Sequence, residues 1–264
     1  MKKEKILSAQ ALAGAGKTVG KWVECLDIVD STNTYLKHRA AQGAPHGTVV
    51  LAREQTGGRG RLGRSFRSER DKGLYLSVLL RPAVLPAQAA GMTAWAAVAV
   101  CRAVERCTGL RPGIKWVNDL QLEGKKLCGI LSEMELDERG TLRHVIVGVG
   151  INLGQTEGEF PPEIAEIATS LAMHMPQPPS LNELARVLIE ELDRMASEFP
   201  EGREAYLEEY RKRCVTAGKP VEVISPLQTR RGFALGVDEE FNLTVRFGDG
   251  SVEAVGSGEV SVRI

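Results

Sequence analysis

Between Gln55 and Phe66 the chain reads Q-T-G-G-R-G-R-L-G-R-S-F, with four glycines and three arginines in the eight residues from Gly57 to Arg64. Such a stretch reads as a loop. Glycine opens backbone conformations closed to other residues and lets main chain approach a ligand closely. Arginine adds permanent, forked donors suited to carboxylates and phosphates. The loop is tethered on both sides: a β-branched run from Gly47 to Glu54 feeds into it, and Gly73 to Arg81 follows, with Leu74, Leu76, Val78 and Leu80 on one face. A solvated surface loop or a basic RNA-binding loop has similar composition. The tethering and the alternation of glycine with arginine favour a cradle for a small anion, phosphate above all.

Charge restricts the partners. The 264 residues hold 34 Lys and Arg against 34 Asp and Glu, a formal net charge of zero. Bulk electrostatics therefore give no reason to expect nucleic-acid or anionic-membrane binding, and any basic function is local. The five cysteines (Cys25, Cys101, Cys107, Cys128, Cys214) are scattered without C-x-x-C spacing, which reads as reduced thiols rather than a disulfide framework or zinc site. Met1-Lys2-Lys3 followed by Ile6 to Ala13 loosely mimics a secretory signal, but Glu4, Ser8 and Gln10 interrupt it. With no run long enough to span a membrane, a cytoplasmic location is expected.

Pattern divides the chain into three parts. Residues 1–22 read as a short helix and linker. Residues 23–217 form the main body: a strand over Val23 to Val29, a helix over Thr32 to Gln42 capped by Asp30-Ser31, and a long alanine-rich helix opened by Pro82 and Pro86 and ending near Cys107. A β-rich centre follows, with strands at Ile114 to Val117, Lys126 to Glu135 and His144 to Leu153 and a hairpin turn at Glu123-Gly124-Lys125. Ser180-Leu181-Asn182-Glu183 has capping-box form and starts a helix to about Phe199, with another to about Arg213. Residues 218–264 hold only short strands and turns, suggesting a small antiparallel barrel. Helices without regular βαβ alternation predict an α+β fold.

Two motifs need weighing. Gly14-Ala15-Gly16-Lys17-Thr18 resembles the end of a phosphate-binding P-loop, but Ala11 stands where the first glycine belongs and no buried strand precedes it. It reads as a flexible connector. Lys115-Trp116-Val117-Asn118-Asp119 with Lys125-Lys126 is either an ordinary charged hairpin or a set of groups converging with the arginine loop on one ligand. Gly148-Val149-Gly150-Ile151-Asn152 places glycines inside a strand, which implies close approach by a ligand or another backbone.

Together, Ser31-Thr32-Asn33, the G-G-R-G-R-L-G-R loop, Lys115 to Asp119, Lys126 to Leu131, Gly148 to Leu153 and the tail Gly258 to Arg263 resemble the biotin protein ligases in order and spacing, over roughly residues 20–264. The resemblance implies a catalytic α+β domain with a mixed sheet, related to class II aminoacyl-tRNA synthetases, followed by an SH3-like barrel. It implies that biotin and ATP give biotinyl-5′-adenylate, whose biotin passes to a lysine of a biotin carboxyl carrier domain of a biotin-dependent carboxylase. Carried over by position, Ser31, Thr32, Asn33, Gln55, Gly58, Arg59, Arg61 and Lys126 serve biotin, with Lys126, Arg61 and Arg59 as the catalytic charges. Arg64, Phe66, Asn118, Asp119, Asn152 and Arg263 serve ATP, and Asp119 serves Mg2+. Residue chemistry agrees, because a carboxylate attacking an α-phosphate brings two anions together and needs cations to offset their repulsion.

Two departures stand out. Val117 occupies the place where the family carries proline, loosening a preset turn. Too few residues precede Ser31 for the DNA-binding module of some members, so no DNA binding is expected. The family includes monomers and dimers joined through the central sheet. A lipoate or octanoyl transferase, a DNA-binding biotin sensor and an arginine-loop RNA-binding protein are the competing readings.

Overall fold

A computed structural model describes residues 6–225, 228–256 and 261–263. Parts of two sequence features, Met1 to Glu4 of the signal-like start and Gly258 to Val260 of the tail, lie outside them. In chain order, the main body comprises α1 (Ala9–Leu12), β1 (Trp22–Leu26), α2 (Thr32–Ala41), β2 (Thr48–Ala52), β3 (Gly73–Leu80), α3 (Pro86–Ala89) and α4 (Met92–Thr108). It continues with β4 (Gly113–Lys115), β5 (Asp119–Leu122), β6 (Lys125–Leu136), β7 (Leu142–Asn152), α5 (Pro162–Ala165), α6 (Leu181–Glu198) and α7 (Arg203–Arg213). The expected single alanine-rich helix is two. It breaks at Ala90-Gly91, where glycine, a poor helix former, starts the longer segment.

Seven strands form one sheet in the order β1-β2-β3-β7-β6-β5-β4. β1 and β2 run parallel, joined through α2, and the other neighbours are antiparallel. The sheet is thus mixed, and the α+β expectation holds. Side-chain alternation sorts its two faces. Val49, Leu51, Leu76, Val78, Val147 and Val149 point into the large core under α4 and α6. Val50, Leu79 and Ile146 point the other way, into a small cluster with Leu36 and Ala40 of α2. Because α2 is short, it covers only part of that second face. Beyond Ile146 the same face of β7 continues as Gly148, Gly150 and Asn152, and that is where the candidate site lies.

The P-loop-like segment is neither a phosphate site nor a loose connector. The main-chain N–H groups of Lys17, Thr18 and Val19 all donate to the Asp193 carboxylate of α6, at 2.8, 3.0 and 2.7 Å. This backbone nest has its anion supplied from within the chain. Val19 and Ala15 are buried against the core.

Five further strands, β8 (Pro220–Ile224), β9 (Thr229–Val237), β10 (Leu243–Phe247), β11 (Val252–Val255) and β12 (Ser261–Arg263), make a second, wholly antiparallel sheet ordered β11-β10-β9-β8-β12. Its buried Ala234, Val237, Leu243 and Val245 are continuous with the large core. Trp116 Nε1 donates to Phe241 O at 2.9 Å, and the Tyr210 ring meets Phe241 edge-on at 5.6 Å. Among the described residues no helix is long and apolar enough to cross a membrane.

Candidate active site

The arginine loop is an ordered arm. Phe66 N–H donates to Gly58 O at 2.9 Å and Gly60 N–H to Arg64 O at 2.7 Å, so the segment doubles back on itself. At its tip Arg61–Gly63 form a single 3-10 turn, with Leu62 and Gly63 both at positive φ. Gly58 is buried, and a Cβ there would lie 2.2 Å from Phe66 O. Only glycine allows the two limbs to close so tightly.

The arm reaches across to the strand pair β5–β6. Arg61 Nη1 donates to Asn118 Oδ1 at 3.1 Å, and Asn118 Nδ2 donates to Asp119 Oδ1 and Ile130 O, each at 3.1 Å. Lys126 Nζ stands 2.8 Å from Asp119 Oδ1. The charged hairpin and the arm therefore converge, as one of the two sequence readings expected. The turn between Trp116 and Asn118 needs no proline. Trp116 and Val117 are buried, Trp116 N–H donates to Thr216 Oγ1 at 2.9 Å, and Tyr210 OH donates to Val117 O at 3.3 Å. These tertiary contacts hold the turn in which Val117 replaces the family's proline.

Under the arm runs a cavity with a neutral end and a charged end. The neutral end is built from the start of α2. Ser31 caps the helix, and Gln55 Oε1 accepts from Thr32 N–H at 2.8 Å and Thr32 Oγ1 at 3.1 Å. Asn33 is consumed structurally. Its Nδ2 donates to Leu131 O and Glu133 Oε2, and Ser77 Oγ lies 2.6 Å from its Oδ1. The charged end presents Arg61, Arg64, Lys115 and Lys126 against the carboxylate of Asp119, whereas Arg59 lies at the α2 end, donating to Thr34 Oγ1 at 3.5 Å. Glu133 partly answers Arg59 at 2.7 Å. Burial pushes both Arg61 and Lys115 below their ordinary pKa ranges, with Asp119 opposing the shift. Positive charge held out of water in this way is stabilised by an incoming anion.

A second cavity adjoins the first across Arg64, Phe66, Lys115, Asp119 and Lys126, and adds Asn152, Phe160, Ile164, Ile167 and Arg263. Phe66 stands at the divide. A Cβ on Gly150 would lie 2.6 Å from its ring, and one on Gly129 would lie 3.4 Å away. These two glycines pair across β6 and β7, so the sheet offers the ring a floor without side chains. Gly148 similarly makes room for Asn33, whose Oδ1 would be 2.2 Å from a Cβ. The strand glycines were expected to admit a ligand or backbone. They admit the chain's own side chains.

Of the residues singled out from sequence, the first cavity gathers Ser31, Thr32, Asn33, Gln55, Arg59, Arg61, Arg64, Phe66, Asn118, Asp119 and Lys126. Asn152 and Arg263 line the second. Gly58 lines neither and sits within the arm, where its two limbs close. Lys115 lines both, although sequence gave it no role beyond its motif. Phe160, Ile164 and Ile167 come from a proline-rich segment with no periodic signal to mark them.

Across its length the chain is similar to the biotin–[acetyl-CoA-carboxylase] ligase of Mycobacterium tuberculosis, 35% identical over 94% of this chain and 91% of that protein. The chain belongs to the biotin protein ligases. The sequence model of the wider biotin/lipoate A/B protein ligase family matches residues 25–152, which span the arm, the Lys126 strand and the end of β7. A solved biotin protein ligase of Aquifex aeolicus in complex with biotin and ATP matches at a TM-score of 0.77 and 29% identity, covering 92% of this chain and 99% of that one. The bifunctional ligase/repressor BirA of Bacillus spizizenii is 40% identical over 59% of this chain, which spans about half (48%) of that protein's length. Within a biotin protein ligase, the two adjoining cavities and the cations between them gain a chemical interpretation.

Proposed function

We propose that the chain is an ATP-dependent ligase that activates biotin as biotinyl-5′-adenylate and transfers it to a lysine of a biotin carboxyl carrier domain of a biotin-dependent carboxylase. The observation that carries this reading is the Arg61–Asn118–Asp119–Lys126 cluster at the join of two cavities. Biotin takes the neutral end beside Ser31, Thr32, Gln55 and Arg59, with its carboxylate toward Lys126 and Arg61. Gly58 and Asn33 serve it indirectly, by closing the arm and fixing α2. ATP takes the second cavity, with Arg64, Phe66, Asn118, Asn152 and Arg263 around it.

In the first step a biotin carboxylate oxygen attacks the α-phosphorus, a P–O bond forms, and the bond to pyrophosphate breaks. Lys126 and Arg61 lie where carboxylate and phosphate would meet, so they offset a repulsion that peaks in the transition state. Positioning and charge supply most of what such a step needs. In the second step the neutral lysine amine attacks the acyl carbon, the amide forms, and AMP leaves. The arm over the cavity keeps water from the labile mixed anhydride. Asp119 is the residue that would hold Mg2+, an ion that would supply neutralisation of phosphate charge.

The same reading places the enzyme in the cytoplasm, with no DNA partner. It takes the main body as a class II synthetase-like catalytic domain over 23–217, after an N-terminal linker remnant over 1–22. The second sheet, 218–264, is then an SH3-like barrel. A homodimer through the central sheet would use an open edge such as β1, which carries the exposed Trp22. Biotin-dependent exchange of labelled pyrophosphate into ATP tests the first step; exchange with lipoate in place of biotin, or none with biotin, would refute the reading.

A further inference from the structure

Glu133 of β6 lines neither cavity, yet its carboxylate is gripped from two sides. Oε1 accepts from Arg59 Nη2 at 2.7 Å, and Oε2 accepts from Asn33 Nδ2 at 2.9 Å. One donor belongs to the arm and the other to the start of α2. A single side chain therefore joins the cover of the first cavity to the helix start that builds its neutral end.

The Asn33 amide cannot turn over. Its Nδ2 also donates to Leu131 O at 3.2 Å, so reversal would set its oxygen against both a carbonyl and the Glu133 carboxylate. Ser77 Oγ lies 2.6 Å from Asn33 Oδ1 and 2.7 Å from Thr32 Oγ1, which in turn donates to Gln55 Oε1. Glu133 is thus the point at which the arm enters the polar network of the neutral end. Burial makes its two bonds unequal. Asn33 is 4% exposed, so water cannot replace its acceptor, whereas the Arg59 side chain is 47% exposed and can turn to solvent. A glutamine of the same shape has one acceptor oxygen, which Asn33 would take, leaving Arg59 without its tie.

We infer that Glu133 is a positioning residue for biotin, latching the arm over the first cavity through Arg59 while its other oxygen fixes the start of α2. This rests on the reading of the first cavity as the biotin site. An ion pair as exposed as this one shifts an equilibrium by a factor of about two to five. Glu133 therefore sets how firmly the arm retains its ligand and leaves the chemical step, at Lys126 and Arg61, unchanged.

The arm's own arginines supply the test, because trypsin cuts after Arg59, Arg61 and Arg64 only when the arm lifts. In Glu133→Gln without ligand, cutting there is expected to be about two- to fivefold faster than in wild type, at an unchanged melting temperature. In biotin-dependent pyrophosphate exchange the same variant should raise the KM for biotin by that factor with kcat unchanged, the mark of lost ground-state binding. Glu133→Ala, which strands Asn33 as well, should also lower the melting temperature. Wild type gives a reading even if a variant fails to fold: in about 1 M salt, where the screening length is about 3 Å, its arm should be cut faster relative to a reference peptide. Equal cutting of folded wild type and Glu133→Gln, wild-type cutting that salt leaves unchanged, or a fall in kcat with the biotin KM unchanged would overturn the inference. Faster cutting in the variant with no exchange by wild type would refute the ligase and keep the latch.

Discussion

Lys126 and Arg61 already have partners, Asp119 at 2.8 Å and Asn118 at 3.1 Å, so a bound anion competes for groups that are held in place rather than ordered on arrival. Preorganisation of this kind is what gives a transition-state contact its worth. Lys126→Ala and Arg61→Ala are each expected to lower biotin-dependent exchange roughly 10²–10³-fold, with the fold intact by circular dichroism; wild-type rates in either variant would contradict the assignment. Two histidines set a pH response of the fold. Burial holds His46 and His144 below the ordinary range, and His46 Nδ1 accepts from Arg81 N–H at 2.9 Å, which requires the neutral ring. The unfolded chain then binds more protons below its own pKa of about 6.5. Stability is therefore full above that value and declines as pH falls through the lowered folded pKa values. Denaturation midpoints at pH 7.5 and pH 5 should show this loss, and His46→Gln, which can keep an acceptor for Arg81, should shrink it. An equal loss in the variant would exclude His46 as a contributor.

At the scale of elements, β7 does two jobs with one alternation. Val147, Val149 and Ile151 fill the core, while Gly148 and Gly150 leave the other face bare for Asn33 and Phe66. Gly148→Ala should destabilise the protein by about 1–3 kcal/mol, because Asn33 must give up contacts that tie α2 to β6. Gly150→Ala should instead displace the Phe66 ring and raise the KM for ATP more than that for biotin. A melting temperature unchanged by the first, or kinetics unchanged by the second, would contradict these roles. The strand, the glycines and the Ser180 cap of α6 were legible from spacing alone. What the glycines admit was not, since Asn33 and Phe66 are 115 and 84 positions from their partners by subtraction, and only the folded sheet brings them together. The Gly16-Lys17-Thr18 segment makes the same point in reverse. From sequence it read as a flexible connector, because the anion that orders its backbone nest, Asp193, lies in a distant helix. Asp193→Ala should cost about 1–3 kcal/mol and speed amide exchange at Lys17, Thr18 and Val19; unchanged exchange there would show the nest to be held by other contacts.

Across the whole molecule, the two sheets share one core, and Val262 and Arg263 of the second line the cavities of the first. The site is therefore assembled from the arm, α2, the β5–β6 hairpin, β7 and β12, which are spread along nearly the full chain. The motif order in sequence pointed to these pieces. Their arrangement into two cavities with a shared cationic wall follows from the mixed sheet and a short α2, neither of which any single motif encodes. The account stands or falls on whether that arrangement joins biotin to a protein. Incubation with ATP, Mg2+, biotin and a biotin carboxyl carrier domain, followed by intact mass of the carrier, tests this most directly. The carrier is expected to gain one biotinyl group, at lysine, only when ATP and biotin are both present. No gain in mass with all components present, or a gain of lipoyl in preference to biotinyl when both acids are offered, would contradict it.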